Sequence, residues 1–436
     1  SQEPPKKRSD LQSLRGIAIC SVFLFHIRQD IFINGFLGVD VFFVLSGFLI
    51  SSILSRHQKL SFEHIKNFYF RRFKRIVPLY VTVLLACMIS ALLIFAKVDA
   101  ENEQRSFLWS FFFARNIQQI KNSRDYWQQG SASHRSLLNH AWSLGVEIQY
   151  YLVAPFIYAF ICLLKTRTLR IVSYVCISTA SLLLYLISDN TTHFNSPVCR
   201  WWQFMLGSIA SEVAGGSVMS SQPVTEEKEA LLEQQPAQDK DALLEMQQDL
   251  EVTNTEYSVI VSQSLRTSIV IVLVLYLVSP FSFGERIGAI GVSLMVAGLI
   301  ATCDDASILL LSSRSMAYIG DISYALYLVH WPVIVFFTYH IENTKLDSWE
   351  SVIFVVLITI LFTLFAHFTI EKWSLRKGYI PSAVYVGVIY TVMAIILHNT
   401  ALISDMVLSH RFNSLSRIEI ETTPGHKMNF TRDEIR

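Results

Sequence analysis

Apolar residues in this chain gather in long runs, not in the short alternating or three-four patterns of a soluble fold. Eleven runs approach or reach the roughly 17 to 25 residues that cross a hydrocarbon core. They are 11–27, 36–55, 76–96, 142–164, 169–188, 201–215, 267–282, 285–303, 318–340, 350–371 and 380–400, the sixth and seventh being the shortest. The pattern predicts an all-α protein, a polytopic transmembrane helical bundle of about 10–11 spans. A further apolar stretch, 107–114, is too short before Arg115, Asn116 and Gln118, and reads as an interfacial or re-entrant piece.

Composition agrees: 52% of residues are hydrophobic and 16% charged, against roughly 25% charged in soluble domains. A net charge of +1 gives no reason to expect a nucleic-acid partner. Six scattered cysteines form no CxxC or Cys/His pattern, so neither a disulfide framework nor a metal site is expected. If loops alternate, Lys6, Lys7, Arg8, the seven bases between Arg56 and Arg75, and Lys165, Arg167, Arg170, Arg314, Lys372, Arg376 and Lys377 all fall on one side. The positive-inside rule then makes the amino terminus cytoplasmic and the carboxyl terminus extracellular or lumenal. Both N-x-[ST] sequons, at Asn190 and Asn429, land outside in this scheme, and together with a long acidic insert they point to a plasma membrane or endomembrane. No signal-peptide cleavage pattern follows the first bases, so the first helix is expected to be retained.

The predicted organisation is a cytoplasmic segment 1–10, a membrane core 11–215, an acidic linker 216–265, a second core part 266–400 and an outer tail 401–436. Within the linker, 224–256 holds ten acidic and two basic residues and no Phe, Trp or Tyr, which cannot bury a core and reads as disordered. Two pieces, 227–232 and 239–244, place an acid four positions before a Leu-Leu pair. That spacing is similar to acidic dileucine sorting signals and equally suits an amphipathic Leu- and Glu-rich segment.

Charged or ionisable side chains inside spans are costly and mark functional candidates. Arg15 and His26 lie on the first span, Asp40 on the second, Glu147 on the fourth and His330 on the ninth, with Arg200 at the edge of the sixth. Eleven residues at 100° return about 20° past three turns, so Arg15 and His26 share a face, ~16 Å apart along the axis. Glu147, five residues after Trp142, lies ~8 Å below the outer surface, at the depth of His26, and the two are expected to meet. A carboxylate orienting an imidazole suits general-base work on a hydroxyl. Arg71, Arg72 and Arg75 precede the third span; their guanidinium forks suit phosphate, although such a cluster is also an ordinary positive-inside flank. Gly35, Gly38, Ser46 and Gly47 read as helix-packing residues, Asp40 equally as a hydrogen-bond partner between helices, and His330 beside Trp331 and Pro332 as an interface residue.

Six blocks in order, DLQSLRGIAICSVFLFH, GFLGVDVFFVLSGFLI, FYFRRFKRIVPLY, LNHAWSLGVEIQYYL, RWWQFMLG and GDISYALYLVHWPV, cover 10–335. Together they make the chain resemble the acyltransferase 3 family of integral-membrane O-acyltransferases. The resemblance implies transfer of an acyl group, often acetyl, from cytosolic acyl-CoA to a hydroxyl of a carbohydrate or lipid acceptor at the outer or lumenal face. Acyl-CoA would be the donor substrate, with no permanently bound cofactor and membrane lipids as surroundings. It implies catalytic roles for Arg15, His26 and Glu147 and CoA-phosphate binding by Arg71, Arg72 and Arg75. Arg200, Tyr324 and His330 fall in family motifs, with Asp40 a further candidate. Whether His26 is a base or a transient acyl carrier stays open. Some relatives carry an SGNH esterase-like domain after the last span; the tail 401–436 is shorter than such a domain and holds no GDS motif. The competing expectation is a non-catalytic transporter or lipid-binding protein on the same scaffold, with Arg15, His26 and Glu147 as a polar track.

Overall fold

A computed structural model describes residues 8–55, 61–126, 136–220, 263–281, 284–302, 311–341, 346, 348–400, 402–407 and 409. The acidic stretch 224–256 with both Leu-Leu pieces, the bases Lys6 and Lys7, and the Asn429 sequon lie outside them.

The described residues form helices, with no strand among them: α1 (Ser9–Ile27), α2 (Gly38–Leu54), α3 (Phe62–Ile94), α4 (Lys97–Phe111), α5 (Arg115–Tyr126), α6 (Ala141–Cys162), α7 (Arg167–Ile187), α8 (Asn190–Asn195), α9 (Pro197–Ser220), α10 (Gln263–Val278), α11 (Glu285–Thr302), α12 (Arg314–His340), α13 (Trp349–Arg376) and α14 (Tyr379–His398). Nine of them are long and apolar enough to cross a membrane. The sixth and seventh predicted spans fall on α9 and on the shorter α10, outside those nine.

Two stretches bear on the sequence reading, the first departing from it and the second agreeing with it. First, α3 starts at Phe62, well before the apolar run, so the basic block is helical and not a loop. Ser61 caps it: its Oγ accepts from the His64 amide, and His64 Nδ1 accepts from the Ser61 amide, both at 3.3 Å. Second, the short apolar stretch 107–114 does not cross. It ends α4, breaks at Phe113 with φ 54, and restarts as α5. That left-handed φ costs a bulky residue strain. It is held by stacking of Phe113 on Tyr80 (4.4 Å) and by donation from Gln149 Nε2 to the Phe113 carbonyl (3.1 Å).

Burial sorts the helices into centre and periphery. About 72% of the apolar window of α2 is buried, against 17% for α7 and 22% for α14, so exposed apolar side chains such as Leu183, Phe354 and Leu357 face where lipid would be. The centre is assembled by glycines. A Cβ at Gly320 of α12 would collide with the Gln12 backbone, and one at Gly16 with the Met316 carbonyl. Helices α1 and α12 therefore touch backbone to backbone, the geometry small residues permit. Gly47 and Gly207 bring α2 and α9 together in the same way.

Candidate active site

Between α1, α2, α3, α6 and α12 lies a cavity with about 770 Å³ of non-atom space, a figure that includes open solvent at its mouth. Arg15, Arg72 and Arg75 line it, and Glu147 is the one carboxylate among the lining residues. Residues three apart on a helix are neighbours on its surface, which is why α3 turns Arg72 and Arg75 together into the cavity. Arg71 is exposed and is not among the lining residues. Arg15 donates to Ser323 Oγ from Nε (3.3 Å) and Nη2 (3.0 Å). Glu147 accepts from Ser46 Oγ at 2.5 Å and from the Tyr151 hydroxyl, and the Arg72 guanidinium lies 5.1 Å from the Tyr151 ring centroid. Three cations around one carboxylate leave a net positive site suited to a phosphorylated or carboxylate ligand.

Ten residues beyond the Gly16 and Gly320 contact, the same two helices bring two imidazoles together. His26 Nδ1 and His330 Nε2 are 2.9 Å apart, with the rings stacked at 5.1 Å. His140, immediately before α6, packs edge-on against His330 at 5.8 Å. Between this cluster and the cavity stands Tyr327, which lines the cavity, donates to the His140 carbonyl at 2.5 Å and lies 2.5 Å from Ser143 Oγ. Among the described residues, no group of three or more His, Cys, Asp or Glu is placed to hold a metal.

The expected contact between Glu147 and His26 is not made. His140, Ser143, Glu147 and Tyr151 fall at three- and four-residue steps on one face of α6 and its entry. Glu147 is therefore two turns, ~10 Å, deeper than His140, and it is His140 that reaches the imidazoles. Glu147 instead serves the cationic cavity. Arg15 and His26 do share a face: both meet α12, at Ser323 and His330. Asp40 and Arg200 form a buried pair at 2.8 Å outside the cavity lining. Gln203 also donates to Asp40, and Arg200 Nε donates to the Phe194 carbonyl at 3.1 Å. Tyr324 lines the cavity and donates to the Ile76 carbonyl at 2.8 Å.

Sequence reasoning passed over Ser46, taken as packing, and His140, Ser143, Tyr151 and Tyr327. The polar stripe His140–Ser143–Glu147–Tyr151 was the available signal. It also missed the buried pair of His367 Nδ1 and Glu371 Oε2 at 2.8 Å, set in a π-helical turn of α13. Outside the spans, Glu103 of α4 is buried and accepts from Ser136 Oγ at 3.1 Å. Burial pushes its carboxyl up to about 7, opposed by the nearby Arg115 guanidinium.

The acyltransferase 3 family model, described as an acyltransferase domain, matches residues 8–370. The chain belongs to the acyltransferase 3 family. It is an integral, multi-pass membrane protein. In this acyltransferase 3 chain the match runs from the start of α1 to the π turn of α13, and so contains the cavity and all three imidazoles. It is 30% identical over 211 residues to O-acetyltransferase OatA of Staphylococcus aureus, covering 47% of this chain and 34% of that protein. It is 27% identical over 382 residues to YrhL of Bacillus subtilis, named for peptidoglycan O-acetyltransfer, covering 85% of this chain and 55% of that protein. The chain thus spans between about a third and just over half of these relatives' length. No solved structure matches it.

Proposed function

We propose that this protein is an O-acyltransferase that moves an acyl group, acetyl by the names of its relatives, from acyl-CoA to a hydroxyl of a carbohydrate or lipid acceptor at the outer or lumenal face. The observation that carries the reading is the pair of stations on α1. A cationic cavity at Arg15 and a reactive imidazole at His26 are separated by ~16 Å of helix, and Tyr327, which lines the cavity, packs against both His140 and His330. A donor anchored by its phosphates at Arg72 and Arg75 must then carry its thioester on an extended arm, which the pantetheine of CoA is.

At the far station, His26 takes the acceptor proton as the hydroxyl oxygen bonds to the thioester carbonyl; the C–S bond breaks and the proton ends on the CoA thiol. A transient acyl-His26 would deliver the same product in two steps. Glu147, held by Ser46 and Tyr151, keeps the cavity from carrying three uncompensated cations. The amino terminus lies on the cytoplasmic side. In support, Asn190 is exposed at the head of α8, whose Phe194 packs on Trp142 at 4.3 Å, so that this sequon sits at the His140 end of the bundle.

Purified protein in lipid nanodiscs, given radiolabelled acetyl-CoA and cell-surface glycan and lipid extracts, transfers label to an acceptor, and His26→Ala does not. Transfer by His26→Ala at the wild-type rate overturns the proposal. Substrate flux in liposomes without any effect of CoA on thermal stability favours a transporter instead.

A further inference from the structure

The general-base reading of His26 leaves open which of its nitrogens is available, and the contacts of His330 answer it. Three hydrogen-bonding positions lie in series. His330 Nδ1 is 2.9 Å from the carbonyl oxygen of Leu326, one turn earlier on α12. A carbonyl oxygen only accepts, so His330 Nδ1 carries the proton, and in a neutral imidazole Nε2 is then the acceptor. That Nε2 faces His26 Nδ1 at 2.9 Å, so His26 Nδ1 is the donor. The lone pair of His26 is thereby on Nε2, which has no hydrogen-bond partner among the described residues.

We propose that His330 is the positioning residue of the site: through the Leu326 carbonyl it fixes the tautomer and orientation of His26, so that Nε2 is the unprotonated nitrogen presented to the acceptor hydroxyl. This rests on the reading of His26 as the reacting imidazole. In many hydrolases a carboxylate holds the distal nitrogen of the base; here a second imidazole does so, and no carboxylate bonds His26 among the described residues. Burial separates the roles. His330 is fully buried and cannot reach an acceptor, whereas His26 is partly exposed. The rings have little freedom to turn. Trp331 lies 4.8 Å and Phe25 5.2 Å from the His26 ring, and Phe23 5.9 Å from the His330 ring. When His26 takes a proton on Nε2, His330 Nε2 continues to accept from Nδ1, so the developing imidazolium keeps its partner.

The experiment pairs spectroscopy with kinetics. In 15N-histidine-labelled wild type, long-range 1H–15N correlation assigns the proton of His26 to Nδ1. His330→Phe removes the acceptor and gives a mixture of His26 tautomers. Its kcat falls by on the order of 10²- to 10⁴-fold, the scale of a misdirected base, with donor KM within about threefold. His330→Gln places an amide oxygen near the lost Nε2 and recovers at least roughly tenfold over His330→Phe, with the proton back on Nδ1. A wild-type spectrum with the proton on Nε2 overturns the proposal whether or not the variants fold. Wild-type kcat in His330→Phe while His26→Ala is inactive overturns it too and leaves the reading of His26 standing. Full activity in His26→Ala defeats that reading instead.

Discussion

Glu103 supplies a quantitative test of the α4–α5 helical pair, away from the proposed chemistry. Its carboxyl is buried beside Ser136 and near the Arg115 guanidinium, and its ordinary value of 4.5 is raised to about 7, chiefly by desolvation. Between these values the native state binds more protons than the unfolded state, so stability falls as pH rises. The contribution is complete below about 4.5 and gone above about 7. A rise of about 2.5 at 1.36 kcal/mol per pH unit is about 3 kcal/mol. Glu103→Gln keeps the shape and stays neutral at every pH, so the variant gains on wild type by that amount between pH 4.5 and 7 and by nothing further above. For a chain of this size that is roughly 3 to 6 °C in Tm. Thermal unfolding of both proteins in one detergent, from pH 4.5 to 8.5, reads the difference directly. A constant offset across the range, or a gain for wild type on raising the pH, would refute the placement of Glu103 as a desolvated acid.

Other expectations concern the bundle and cavity. Arg72→Ala or Arg75→Ala raises the KM for acyl-CoA about 10- to 100-fold, the scale of one lost charge-assisted hydrogen bond, whereas Arg71→Ala stays within about threefold; donor titration under steady-state turnover separates them. Asp40→Ala leaves Arg200 uncompensated in the interior and destabilises by about 3 to 5 kcal/mol, seen as a lower denaturation midpoint. Gly320→Ala forces a methyl group into the Gln12 backbone and costs about 1 to 3 kcal/mol of packing, whereas Gly291→Ala, where a Cβ meets nothing within 4 Å, leaves the midpoint unchanged or higher.

What the sequence disclosed and what it concealed follow from the range of each interaction. Span length is set by bilayer thickness, so each of the eleven runs lies mainly within a helix, and the shared face of Arg15 and His26 follows from one helical period. Local polarity was misleading at the start of α3: a basic run looks like a loop, yet Ser61 and His64 begin a helix there, and its phase decides that Arg72 and Arg75 enter the cavity while Arg71 does not. The error at Glu147 is of another kind. Counting along a helix yields depth but not the neighbour, and nothing local distinguishes a face toward α1 from one toward Ser46 of α2. The meeting of His26 with His330 spans more than 300 positions, and beside Trp331 and Pro332 the second histidine has the local look of an interface residue.

The glycine contact between α1 and α12 also governs how the protein is made. Ser323 and His330 follow Arg15 and His26 out of the ribosome about 300 residues later, roughly 15 to 60 s at ordinary elongation rates. Throughout that interval α1 holds a guanidinium and an imidazole without their native partners. The nascent chain is thus at its most vulnerable before α12 is inserted, and substitutions at Gly16 or Gly320 prolong that exposure, lowering yield in the cell even where the finished protein would be active.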